Sequence, residues 1–174
     1  MAKVGKRILR RMIVISLLVV LGLYGLLLLY ALPRTEVINV TNTEVKRSVG
    51  DEGRDVRYVL GAKKDGAAVV FRNEDTGFGF PPYFKFDSGT LDAQASNLAK
   101  KSPDTPVLAR YYGFRIPMFS LFPNVVSLRV VEENFENFPL FNIVFLSLNI
   151  IGFSYLGIKL WLWRRRRKRA AQPV

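Results

Sequence analysis

Polarity along the chain divides it into three parts. Residues 12–32 (MIVISLLVVLGLYGLLLLYAL) contain no charged side chain, and residues 137–158 (NFPLFNIVFLSLNIIGFSYLGI) form a second charge-free run. At 1.5 Å per residue a helix over the first run is about 30 Å long, the thickness of a bilayer's hydrocarbon core. The second run continues through Lys159 to Trp163, so the pattern predicts transmembrane helices over 12–32 and 138–163. The first run is too long for the apolar part of a signal peptide, and its exit (YALPR) offers no small-x-small cleavage site. It is expected to remain as an anchor.

Residues 33–137 carry short β-type alternations and one helical pattern. The Val, Ile and Thr content of 35–49, the alternation at Val56, Tyr58 and Leu60, and the AAVVFR stretch at 67–72 predict three strands. A GAKKDG hairpin joins the last two. Leu91, Ala95 and Leu98, at i, i+4 and i+7, predict a helix over 88–101 that is capped by Ser88 or Thr90 and stopped at Ser102-Pro103. Residues 107–114 and 125–131 supply two further strands. The order β-β-β-α-β-β predicts a small α+β domain with an antiparallel sheet, and it is the order an OB-type five-stranded barrel uses.

Charge sharpens this picture. The chain has 26 Lys+Arg against 14 Asp+Glu, a net charge of +12. Five basic residues, Arg10 and Arg11 among them, lie in 1–11, and seven, including Arg164, Arg165, Arg166 and Arg167, lie in 159–169. The other 14 share residues 33–138 with all 14 acids, so the middle domain is neutral. A nucleic-acid-binding domain would hold its excess charge on the folded part, so nucleic acid is not an expected partner. The basic flanks read instead as membrane anchors beside anionic headgroups. By the positive-inside rule they predict cytoplasmic termini with the middle domain on the outer side. At about eleven residues each, the flanks (1–11 and 164–174) are too short to fold as domains.

With no His and no Cys, the chain can have no disulfide, thiolate nucleophile, Cys/His zinc site or Ser-His-Asp triad. No catalytic residue, metal or cofactor is expected. Glu74, Asp75 and Asp87 lack the spacing of a calcium loop, and Gly77-x-Gly79 lacks the third glycine and following helix of a phosphate loop. One segment stands out. Residues 73–88 read NEDTGFGFPPYFKFDS, placing Phe78, Phe80, Tyr83, Phe84 and Phe86 around two glycines and a Pro-Pro pair. Such a loop is either a rigid aromatic binding surface or the aromatic cap of an open barrel end. Arg72, Lys85, Arg110 and Arg115 flank it, as an anion or cation–π site or as a solvated surface. In the second span, Asn142 and Asn149 lie seven residues apart, and Gly152 extends the same face. This set is the candidate helix–helix contact, since amides in a membrane seek hydrogen bonds across helices; the alternative is that each amide bonds to a backbone carbonyl of its own helix.

The 73–88 stretch, with RYYGFR at 110–115 and FPNV at 122–125, resembles a family of uncharacterised bacterial inner-membrane proteins, mostly alphaproteobacterial, that is classed as a domain of unknown function. Members share an NEDTG[FW]G[FW]PPYFKFDS motif between two spans. The resemblance implies a Gram-negative inner membrane with a periplasmic domain and assigns no activity. The expected role is a non-enzymatic accessory or assembly subunit whose partners are the lipid bilayer and other membrane subunits. The alternative is a periplasmic ligand-, lipid- or glycan-binding or sensing module.

Overall fold

A computed structural model describes residues 2–47, 55–133 and 135–170. In chain order they form α1 (Ala2–Ala31), β1 (Arg34–Arg47), β2 (Asp55–Lys63), β3 (Ala68–Asn73), α2 (Ser88–Lys101), β4 (Pro106–Tyr112), a 3-10 turn (Pro117–Phe119), β5 (Asn124–Val130) and α3 (Leu140–Ala170). They make two units, one up to Glu136 and one from Asn137 onward. Two apolar helices at the ends flank a small barrel.

Strand order in the barrel is β1-β2-β3-β5-β4, closed. All pairings are antiparallel except β3 with β5, which meet in parallel at Arg72 and Asn124. Both the predicted order and the helix between the third and fourth strands are present. Long β1 makes closure possible: its first half pairs with β4 and its second half with β2, with an irregularity between Val40 and Asn42 where the strand bends. Gly61 is required at that bend. A Cβ there would lie 2.9 Å from both the Asn39 carbonyl oxygen and Ile38 Cδ1.

Inward-facing residues of the five strands, alternating along β1 and β4, fill the interior with Ile38, Val40, Val59, Phe71, Val107, Ala109, Val125 and Leu128. Leu91 and Ala95, one turn apart on α2, close the core from outside the strands. Asp87, rather than Ser88 or Thr90, caps this helix; its Oδ1 accepts from Thr90 N at 2.9 Å. The predicted fourth strand ends early, at Tyr112, because Gly113 turns away at φ +95°. The predicted first strand reached 49; residues 48 and 49 lie outside the described residues, and β1 reaches Arg47.

Each apolar helix is longer than predicted, although Leu32 and residues 138 and 139 lie outside them. α1 begins at Ala2 and α3 continues through the Arg run to Ala170, so described parts of both basic flanks are helical. Lys and Arg are good helix formers, and extending an existing helix avoids the cost of nucleation. The segments long and apolar enough to cross a membrane are Arg7–Ala31 and Leu140–Arg167, and most of the large apolar side chains of each are exposed.

Candidate functional site

The aromatic loop leaves β3 at Asn73 and returns as the cap of α2. Its neck is a short ladder. Thr76 N and Gly77 N both donate to the Lys85 carbonyl at 3.0 Å, and Lys85 N donates to Thr76 Oγ1 at 3.0 Å. Gly77 has φ +52°, which glycine adopts at little cost, and this turns the chain into the tip. Tyr83 to Phe86 then alternate: Tyr83 and Lys85 face the barrel, whereas Phe84 and Phe86 face out.

The inward side is polar. Lys85 is only 8% exposed, and its Nζ donates to Asn73 Oδ1 at 2.5 Å and to the Val125 carbonyl at 2.8 Å. Asn73 Nδ2 donates to the Ser88 carbonyl at 2.9 Å, and Ser88 N to Asp75 Oδ1 at 2.7 Å. Asn124 pairs with the backbone of Glu74 like one more strand residue, accepting from its N–H at 2.9 Å and donating to its carbonyl at 3.0 Å. Burial pulls the Lys85 ammonium down to about 8, against the opposing pull of Asp75 and Glu74. Both acceptors of this amine belong to the clasp itself, and almost none of it is reachable from outside. It fastens the loop.

The outward side is apolar. Phe78, Phe80, Phe84 and Phe86 are all exposed, Phe78 by 88%. Phe78 meets the edges of Phe84 and Phe86 at centroid distances of 6.1 and 5.1 Å. Phe84 holds a left-handed backbone, φ +51°, which a bulky residue rarely adopts. The barrel-cap alternative therefore holds only for Tyr83. That ring stacks on Tyr112 at 4.8 Å, with the Arg110 guanidinium 5.8 Å from its centroid. Its hydroxyl donates to the Ala31 carbonyl at 2.7 Å and is pushed up to about 12, chiefly by burial.

A second loop, 113–123, lies on the same support. Gly113 N donates to the Tyr30 carbonyl at 2.9 Å, and Tyr30 packs edge-on against Tyr112 and beside Phe114. Arg34 Nη2 reaches back to the Leu29 carbonyl at 2.8 Å. Ile116 and Leu121 pair across the 3-10 turn, leaving Met118, Phe119 and Leu121 exposed, Met118 by 83%. Both loops are thus fastened to the last turn of α1.

The flanking charges separate. Arg72 Nη2 pairs with Glu74 at 2.6 Å, and Arg115 lies 3.9 Å above the Phe122 ring. The solvated-surface alternative fails for Lys85, because its amine is buried against Asn73 Oδ1 and the Val125 carbonyl. Asp75 and Asp87 each hold a backbone N–H at the start of α2, and no His, Cys, Asp or Glu cluster fit for a metal occurs among the described residues. In α3, Asn149 Nδ2 donates to the Phe145 carbonyl of its own helix at 2.8 Å, and Gly152 lies on the outer surface. Arg10, Arg11 and Arg164 to Arg167 are exposed, with Arg165 and Arg167 over Trp161 and Trp163. The sequence reading passed over Asn73 and Asn124. It also passed over a cleft of about 360 Å³ whose wall includes Arg34, Glu36, Lys63, Tyr111 and Arg115, with Lys63 paired to Glu36.

Fold and site together define a small β-barrel between two long apolar helices, with an aromatic loop clasped by a buried lysine. The chain belongs to the family described as protein of unknown function (DUF1523), whose model matches residues 9–166 and so takes in both apolar helices and the barrel. It is similar to an uncharacterized protein of Haemophilus influenzae, 38% identical over 117 residues, which cover 60% of this chain and 66% of the relative. No solved structure matches.

Proposed function

We propose that this chain is a non-enzymatic accessory or assembly subunit of a larger membrane protein complex. In this reading α1 and α3 span a bacterial inner membrane, both basic flanks lie in the cytoplasm and an OB-type barrel stands in the periplasm. The bacterial relative and the two exposed apolar helices support the location. The observation that carries the role is the clasp. Lys85 is enclosed and bonded to Asn73 and Val125, while the phenylalanines beside it face outward. Such a site holds a surface in shape for contact rather than turning over a substrate. Asn142, Asn149 and Gly152 would give α3 a face for a neighbouring helix.

Extraction of the tagged chain from native membranes in mild detergent tests this. The expected result is a particle well above the 19.8 kDa chain plus its micelle, carrying defined partner proteins. A chain that travels alone, or as a small homo-oligomer, overturns the accessory role. The charged cleft beside Arg34 and Lys63 favours a second reading, a ligand-binding module, which would then take precedence.

A further inference from the structure

The barrel's exposed apolar side chains are concentrated. Outside the helices, the described large hydrophobic residues that stand exposed in the first unit up to Val130 are Val45, Val130 and seven others, all of which lie in the two loops fastened to α1: Phe78, Phe80, Phe84, Phe86, Met118, Phe119 and Leu121. In the first of these loops the Lys85 amine is turned inward, against the Asn73 amide at the loop's base. A chain folding in water alone gains nothing by burying Lys85 and exposing four phenylalanines beside it. The arrangement fits an apolar medium outside the loop.

The position of that medium follows from the anchorage. Tyr83 hydrogen-bonds to Ala31, Gly113 to Tyr30 and Arg34 to Leu29, the residues where α1 ends and its exposed apolar surface stops. Whatever covers the last turn of α1 therefore meets both loops. Arg34, Arg110 and Arg115 stand exposed around them, placed for phosphate groups. Resting on the reading of α1 as a span, the geometry points to a lipid-seated barrel: loops 76–86 and 113–121 form an apron that inserts into the interfacial layer of the bilayer from which α1 emerges. The domain then lies against the membrane instead of standing off it on a stalk, and its partner-facing surface is elsewhere on the barrel.

The chain has no cysteine, so single cysteines can be introduced without other changes. Phe78→Cys, Met118→Cys, Leu21→Cys and Asp104→Cys in the full chain would each carry a nitroxide in vesicles of phosphatidylcholine and phosphatidylglycerol. All four positions are exposed, so the labels leave the fold intact. Asp104 precedes β4, about 20 Å of strand away from Tyr112. Relative accessibility to oxygen and to a water-soluble nickel chelate is then measured. Labels at 78 and 118 are expected to favour oxygen several-fold more than the label at 104, and to approach the label at 21. If 78 and 118 match 104 while 21 reads hydrocarbon, the span stands and the apron is overturned. If 21 also reads water, the span reading itself fails and takes the apron with it. Dipolar broadening at 78 would assign the surface to a second copy of the chain and equally overturn the lipid seat.

Discussion

The barrel interior and the aromatic loop bury opposite kinds of side chain within one small domain. In the interior, Ile38, Val40, Val59, Phe71, Val107 and Val125 are sealed from solvent, and the strands carrying them expose polar neighbours. In the loop, Lys85 and Asn73 are inside while Phe78, Phe80, Phe84 and Phe86 are outside. The first arrangement needs only water around the protein. The second is held by hydrogen bonds instead of apolar burial, and its apolar face looks for a partner beyond the chain. Folding energy explains the interior; the surroundings explain the loop.

The comparison predicts unequal costs, largest in the interior. Phe71 is 2% exposed and lies against Tyr111 at 4.9 Å, so Phe71→Ala leaves a cavity in the middle of the barrel. A loss of about 3–5 kcal/mol is expected, read as a fall in thermal midpoint of the full chain in micelles by near-ultraviolet circular dichroism. A loss below about 1 kcal/mol would mean that the interior is not what holds the domain together.

Next comes the clasp, through its pH dependence. Below pH 8 the Lys85 ammonium is charged in both the folded and the unfolded chain, and the full cost of burying it is felt. Between about 8 and the ordinary lysine value of 10.5 the unfolded chain holds a proton that the folded chain has released, so stability rises with pH. At about 1.4 kcal/mol per pH unit the full rise is on the order of 3 kcal/mol. Tyr83 acts in the opposite sense: above about pH 10 the unfolded chain loses a proton that the folded chain keeps up to about 12, and stability falls. The wild type should therefore be most stable near pH 10. Lys85→Met should remove the rise between pH 8 and 10; an unchanged profile would show that the amine is not buried as a cation.

The barrel was legible in the sequence because its signals are local and repeated. Period-two alternation marked the strands, and the spacing of Leu91, Ala95 and Leu98 marked α2. What did not show was the role of single polar residues whose partners are remote in sequence. Asn124 bonds to Glu74, 50 residues earlier, and no periodicity marks such a pairing. Lys85 was visible as a charge and passed as a surface residue, since charge composition says nothing of direction. A period-two reading of YFKF would set Lys85 with Tyr83 and against Phe84 and Phe86, the alternation observed, although Phe84 reaches it through a left-handed backbone rather than an extended one. The end of the fourth strand was misplaced because the left-handed turn at Gly113 depends on packing against Tyr30.

Smaller effects sharpen the boundary between the two regions. Asn124→Ala removes both bonds to the Glu74 backbone and one to the Tyr112 hydroxyl at 3.1 Å. A loss of about 2 kcal/mol is expected from the buried groups left without partners. Tyr83→Phe keeps the stack on Tyr112 and removes only the bond to Ala31, for about 1 kcal/mol. Urea titration of both variants in micelles orders them, and a larger loss for Tyr83→Phe would move the weight of the loop from the Asn124 clasp to the end of α1.

The smallest expected effect is the most discriminating. Phe78 is the most exposed ring of the loop, and its contacts are with Phe84 and Phe86, which are themselves exposed. Phe78→Ala therefore removes almost no surface that folding had buried, and the midpoint should shift by less than about 0.5 kcal/mol. A large aromatic ring that contributes so little to the fold is free to serve whatever lies outside it. If Phe78→Ala instead cost as much as Tyr83→Phe or more, the ring would be packing against the chain, and the loop would be an extension of the core with no outward face to explain. If the fold is indifferent while Phe78→Ala, Phe80→Ala and Phe84→Ala together loosen the barrel's protection by lipid vesicles against proteolysis, the two regions obey different solvents: water sets the interior, and the bilayer interface sets the loop.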